Sequence, residues 1–469
     1  MGHTCCMCRR AFLTKLPAAG LGLAALAEMA PRLWAQAAEP VAAKPLVRAA
    51  FLTIPGKFWM GWPGTAYPVE KARADYTRQI SQAGAELDLD IAFSGQPLQD
   101  DAGVDRFMQL LTADPPDAVL ISLQHMQTWG WANKIAGSGV PTIIFSPVGM
   151  AFTGHLGVSR NKGVYLVSSM DFEGVRSGLR MVKTRDQLKR ARIARLVGNE
   201  TNEVAVPNHG ILVRNLPRVR FEEELARVGD TDEVKAIAAD YARRARKIVE
   251  PNERDRLNAA RNYVASKNIM AAEDANAITM DCLGLIGGRR IPSPPCLAWS
   301  KLNDEGVPAA CEGDLDAAYT YLLTMNLLGK PGFMQDPVPE TVHNTFIGAH
   351  CTAPTRLHGF DKPPVPFILR SHSESNLGVA MQVLWEPGAR VTICKFEANG
   401  QRFIVGEATV LENIATPPAG GCRTSVRAAL DDVADTRDTK GFHQVFLYGE
   451  YERQLRAYMQ LYGVETAHI

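Results

Sequence analysis

The sequence predicts an α/β protein: two doubly wound parallel-sheet units, then an antiparallel, barrel-like β domain. Three observations predict it. Up to about residue 350, short apolar runs alternate with segments of helical periodicity, the pattern of parallel strands joined by crossover helices. Beyond that point the alternation stops, and strand-like runs follow one another directly. At 469 residues the chain is also too long for one ordinary core.

In the first unit, residues 46–185, the runs at 47–54, 87–93, 118–123, 142–146 and 164–168 read as strands, and 69–83 and 104–111 as helices. The second unit, residues 186–355, opens with a strand at 193–197. Val234, Ile237, Tyr241 and Ile248 mark one helix, and Leu257, Ala260 and Val264 a second. Strands are expected at 277–280, 296–299 and 308–311. The third unit, residues 356–469, carries strand-like runs at 365–371, 378–385, 390–397 and 402–410. Asn399-Gly400 is a strong hairpin signal between the last two, and helical periodicity returns only near the C-terminus.

Residues 1–37 resemble a twin-arginine export signal. Arg9-Arg10 precedes a soft apolar run at 16–27, and Ala35-Gln36-Ala37 supplies small residues for cleavage. The run is shorter than the ~20 apolar residues of a membrane span. The mature chain is therefore expected to be periplasmic, with no membrane span. The formal charge of +1 becomes about −2 without this segment, so no electrostatic bias points to nucleic acid. The six later cysteines form no Cys-x-x-Cys pair, which argues against a structural zinc site.

The chemistry centres on Cys311-Glu312-Gly313-Asp314. Cys311 ends an apolar run, Glu312 sits where a helix begins, and Leu315, Ala318 and Leu322 line one face of that helix. A short strand then ends at Asp336 and another at His350. Were these successive strands of one parallel sheet, two carboxylates and an imidazole would meet at its ligand-binding edge. Such a set suits a divalent ion with oxygen and nitrogen ligands, most simply Mn²⁺. The plainer reading of Glu312 is a carboxylate satisfying a helix N-terminus, and Asp314 fits a supporting contact or a helix cap equally well.

These residues resemble the L-fucose isomerase / L-arabinose isomerase superfamily. The likeness rests on Ser300-Lys301-Leu302-Asn303-Asp304, on Cys311-Glu312-Gly313-Asp314-Leu315-Asp316-Ala317-Ala318, on Ala349-His350-Cys351-Thr352-Ala353-Pro354 and on Gly441-Phe442-His443-Gln444-Val445-Phe446. The resemblance implies Glu312, Asp336 and His443 as metal ligands, with His350 a further one. Glu312 and Asp336 together would be general base and acid. It implies a homo-oligomer, trimer or hexamer, in which the first unit reaches a neighbour's site. Gln124, His125 and Trp129, after a strand end of that unit, are the candidate substrate contacts.

The expected function is a metal-dependent aldose–ketose isomerase acting through an enediol on a small, unphosphorylated sugar, since no basic phosphate cradle is evident. Epimerase or lyase chemistry on the same ion is a second reading, and a non-catalytic exported sugar-binding protein a third. Asn208-His209-Gly210 reads as a turn that could close over substrate, and His372 with Glu374 as a satisfied surface pair. Asp281 is a supporting residue, and Cys282, Cys311 and Cys351 are small packing residues.

Overall fold

Buried β-branched runs and amphipathic segments sort the described residues into three large sheets and one small one. The computed structural model describes residues 43–415 and 421–469; the twin-arginine segment lies outside the described residues. The first sheet holds β1 (Leu46–Leu52), β2 (Asp90–Phe93), β3 (Ala118–Leu123), β4 (Thr142–Pro147) and β5 (Val164–Ser169), all parallel, in the order β2-β1-β3-β4-β5. Its crossovers include α1 (Val69–Glu86), α2 (Asp101–Ala113) and α3 (Trp129–Ala136), and α4 (Glu173–Lys189) follows β5. Every residue of β3 is buried. Alternate strand residues feed two clusters, Val119 and Ile121 packing with α2 and α3, and Ala118 and Leu120 with α1 and α4.

The second sheet has β6 (Arg192–Leu196), an antiparallel edge strand β7 (Asn202–Ala205), and β8 (Leu212–Leu216). Next in the chain come α5 (Val219–Arg227), α6 (Asp232–Arg244), β9 (Lys247–Ile248) and α7 (Glu253–Ala272). The sheet is completed by β10 (Ala277–Met280) and β11 (Ala309–Cys311), in the order β11-β10-β6-β8-β7. Between those strands lie α8 (Cys282–Gly287) and α9 (Cys296–Asp304), and after β11 comes α10 (Leu315–Leu328). The run at 296–299, expected as a strand, is therefore helical. A short buried apolar run does not distinguish the two states by period, and Pro294-Pro295 just before it suits a helix start.

The third system is a closed antiparallel barrel of six strands: β12 (Phe333–Glu340), β13 (Thr345–His350), β16 (Arg390–Glu397), β17 (Arg402–Asn413), β18 (Thr424–Leu430) and β19 (Gln444–Tyr448). Pairing of β16 with β17 closes the ring, and Asn399-Gly400 makes their hairpin. A separate small sheet joins β14 (Phe367–Arg370) to β9 and β15 (Ala380–Val383). At the C-terminus, α11 (Glu452–Leu461) precedes β20 (Glu465–His468), which lies parallel to β17.

One expectation fails here with consequences for the site. The strand expected to end at Asp336 runs on to Glu340, and neither it nor the strand ending at His350 is a further parallel strand of the second sheet; the two pair antiparallel within the barrel, with Asp336 opposite Ala349. Only the turn at 341–344 separates them, whereas a parallel crossover needs about a dozen residues or more.

The Ser300–Asp304 segment is a clamp. Ser300 Oγ donates to Ala353 O at 2.7 Å, and Asn303 exchanges two hydrogen bonds with the backbone of Ala309. Buried Asp304 accepts from Thr355 N and Arg356 N at 2.7 Å and from Thr355 Oγ1 at 2.6 Å. This ties α9 to β11 and to the segment leaving His350. Asp304→Ala strands two backbone donors and is expected to cost about 2–4 kcal/mol, read as a lower urea midpoint at unchanged m-value.

Candidate metal centre

The first donor comes from a turn with two left-handed residues. β11 ends at Cys311, and Glu312 and Gly313 follow with φ of 58° and 71°. Asp314 then caps α10, its Oδ1 accepting from Ala317 N at 2.9 Å. The Glu312 side chain is thereby sent past the sheet edge while the helix starts behind it.

The barrel supplies the other donors from three adjacent strands, β19, β12 and β13. His443, also left-handed at φ 56°, immediately precedes β19. Gln335 and Gln444 are register partners, with Gln335 Nε2 donating to Gln444 Oε1 at 2.7 Å. That pair aligns the neighbouring Asp336 and His443.

The four side chains converge. His443 Nε2 lies 3.3 Å from Glu312 Oε2 and 3.3 Å from Asp336 Oδ1, and His350 Nε2 lies 3.7 Å from Glu312 Oε1. Donor atoms of Asp336, His350 and His443 fall within 4.8 Å of one another, as do those of Cys311, Glu312 and His350. The imidazoles are buried, while the Glu312 and Asp336 side chains each keep 25% exposure, so the cluster opens to solvent through its carboxylates.

These residues fit a cation on a specific observation. Asp336 Oδ1, His350 Nε2 and His443 Nε2 are buried and make no hydrogen bond, although they face one another at close range. A buried unsatisfied polar atom costs about 1–3 kcal/mol. Three together, pointing at a common centre, are satisfied at once by a single ion. The group can hold a divalent metal.

The outer contacts orient the imidazoles for that task. His443 Nδ1 meets Asp314 Oδ2 at 2.9 Å, and Asp314 Oδ2 also accepts from Lys395 Nζ at 2.7 Å. Lys395, buried on β16, donates further to Phe442 O. His350 Nδ1 lies 3.1 Å from Thr352 Oγ1. Both histidines thus commit Nδ1 outward and turn Nε2 to the cluster. Asp314 is at once helix cap and imidazole partner. Lys395 and Thr352 were not found from sequence; an isolated lysine inside the apolar run of β16 was the available signal.

Electrostatics separate the carboxylates. The facing imidazoles, His350 and then His443, hold Glu312 well below the usual range against the opposing effect of burial. Burial pushes Asp336 up, with the Glu312 charge adding and the imidazoles opposing. Burial also pushes Asp314 up, but His443 and Lys395 outweigh it and bring it down to about 2. For His443 burial pulls downward, yet Asp314 and Glu312 together raise it to about 9. A hydrogen bond with Cys282, followed by burial, pushes the Cys311 thiol up.

Other expected residues lie elsewhere. Gln124 is buried, accepting from Arg73 Nε and donating to Val69 O. His125 Nδ1 accepts from Gln127 N, and its ring meets Phe58 edge-on at 4.6 Å. Trp129 donates to Met150 O. All three make their contacts within the first unit, and none is among the residues gathered at the cluster. His209 is buried, with Nε2 2.7 Å from Gly400 O, so its turn braces the barrel hairpin. His372 is buried rather than on the surface, 3.0 Å from the half-exposed Glu374. Asp281 caps α8 and pairs with Arg218 at 2.7 Å. No protein-family model matches this chain, and no curated protein matches it significantly.

Two outcomes are expected. Asp314→Asn loses the charge that orients His443 and should weaken metal binding by about 10–100-fold, measured by calorimetric titration. The second concerns pH. In the ion-free chain His443 binds its proton more tightly than the ordinary 6.5, so its stabilising contribution is full below about 6.5 and lost as pH rises through about 9. An ion must displace that proton, so metal affinity should rise with pH up to about 9, by roughly tenfold per unit. Thermal melts from pH 6 to 9.5, with and without ion, should show these opposite trends.

Proposed function

We propose that this protein is a metal-dependent aldose–ketose isomerase acting on an unphosphorylated sugar through an enediol. The observation that carries the reading is the convergence of Glu312, Asp336, His350 and His443 with three unsatisfied buried donor atoms aimed at one point. A set of two carboxylates and two imidazoles suits Mn²⁺. When bound, the ion would polarise the sugar carbonyl and steady the oxyanion that develops on O1 or O2.

The chain's own residues supply the rest. Glu312 and Asp336 stand on two sides of His443 Nε2, each 3.3 Å away, and both reach solvent. They are the groups placed to take the proton from C2 and return it to C1, and their unequal environments suit one acceptor and one donor. His350 and His443 hold their Nε2 atoms fixed, and their burial keeps water from the inner face.

The reading extends to the whole chain. Both α/β sheets are taken as doubly wound, and the chain as a periplasmic homo-oligomer, trimer or hexamer, exported by the twin-arginine route. Trp59, Trp62 and Phe152, each more than half exposed, lie on loops leaving the C-terminal ends of β1 and β4, and Gln124, His125 and Trp129 follow β3. That edge is the surface offered to a neighbouring copy's sugar site. Among the described residues no helix is long and apolar enough to cross a membrane.

A panel of unphosphorylated aldoses incubated with Mn²⁺, followed by NMR in D₂O, tests the function. Deuterium at C1 of a ketose product is expected. Glu312→Gln should lower turnover by at least about 10³-fold, as loss of a group that both binds the ion and moves the proton. Unchanged turnover in that variant, or a product epimerised without ketose, sinks the isomerase reading.

A further inference from the structure

The cluster has a sulfur wall that the carboxylate–imidazole reading leaves unused. Cys311 is the last residue of β11, 3% exposed, and immediately precedes Glu312. Its Sγ, a Glu312 carboxylate oxygen and a His350 ring nitrogen lie within 4.8 Å of one another. His350 Nε2, in a residue 4% exposed, makes no hydrogen bond and faces the same space. Two backbone contacts fix the strand end: Cys311 N donates to Met334 Sδ at 3.4 Å, and Thr279 Oγ1 donates to Cys311 O at 3.4 Å. Behind it, Cys282 Sγ at the start of α8 stands 3.3 Å from Cys311 Sγ.

We propose that Cys311 is a further metal ligand, joining Glu312 and His350 so that the centre offers sulfur, nitrogen and oxygen donors and holds borderline ions such as Zn²⁺ and Co²⁺ through a thiolate. This rests on the metal-site reading above and deepens it. On binding, the Cys311 S–H bond breaks, its electron pair goes to the ion, and the proton leaves to solvent. Mn²⁺, a harder ion, gains little from thiolate and is held by the carboxylates and imidazoles. Cys282 is then a positioning residue, its thiol donating to the Cys311 sulfur from outside the ligand set.

A cysteine at a strand end is most simply a packing residue, and spectroscopy separates the two roles. CoCl₂ is titrated into the metal-stripped full chain and followed by absorbance. Thiolate ligation gives an intense near-ultraviolet sulfur-to-cobalt band, whereas oxygen and nitrogen ligation gives only weak visible bands. We expect the intense band in the wild type, its loss in Cys311→Ser with the visible bands kept, and its persistence in Cys351→Ser, the control for the thiol beside His350. In Cys282→Ala the band should persist at a shifted wavelength. Competition titrations should show Zn²⁺ affinity falling by roughly tenfold or more in Cys311→Ser, with Mn²⁺ affinity held within about threefold.

The wild-type spectrum shows whether any thiolate binds cobalt, and persistence of the band in Cys351→Ser and Cys282→Ala assigns it to Cys311 even if Cys311→Ser fails to fold. Cobalt bound without the intense band, or a band lost in Cys351→Ser and kept in Cys311→Ser, overturns the thiolate ligand and leaves the carboxylate–imidazole site standing. A parallel loss of Zn²⁺ and Mn²⁺ affinity in Cys311→Ser also overturns it. No cobalt binding at all overturns both readings.

Discussion

The hydrogen bond between Asp314 Oδ2 and His443 Nδ1, 2.9 Å long, joins the edge of an α/β sheet to the wall of a β-barrel. The remainder of the centre depends on it. Asp314 begins α10 and so fixes where β11 turns, which decides where Glu312 points. The same carboxylate draws in Lys395 from β16 and sets which nitrogen His443 presents. One acidic residue therefore registers a helix, a sheet edge and two barrel strands against one another.

That arrangement explains the division of burial within the cluster. Histidines at barrel strand ends lie inside, where fixed partners hold Nδ1 and leave Nε2 free. The carboxylates lie toward solvent, where a polyol could reach them. Because Glu312 is held charged and Asp336 is pushed toward its neutral form, the pair is already polarised before any ligand arrives. The two groups remain coupled through His443, so a titration reports the cluster and not a single residue.

Much of the fold was legible because the first sheet follows simple rules. Its strands are mostly apolar and its helices carry an apolar stripe, as a parallel sheet covered on both faces demands. The barrel was half legible. The Asn399-Gly400 hairpin is legible through its turn chemistry, whereas β18 and β19 carry no strand signal read above, and the apolar runs of β12 and β13 fit parallel strands as well as antiparallel ones. The short turn at 341–344 decides for the antiparallel pairing. Glu312, Asp336 and His350 are legible as donor types at expected element ends, and His443 through the family resemblance alone. They do not meet along one parallel edge: Asp336 and His350 come from antiparallel barrel strands, and His443 from the residue just before a third. Lys395 leaves no local spacing to read because its partner Asp314 is distant in sequence, and Thr352, though only two residues past His350, carries no pattern beyond its hydroxyl.

The central claim, that these four side chains enclose one divalent ion, is met most directly by anomalous diffraction. Crystals grown with MnCl₂ and measured on both sides of the manganese absorption edge should give a single strong anomalous peak bounded by Glu312, Asp336, His350 and His443. A peak elsewhere, or none at that position at saturating ion, would contradict the account.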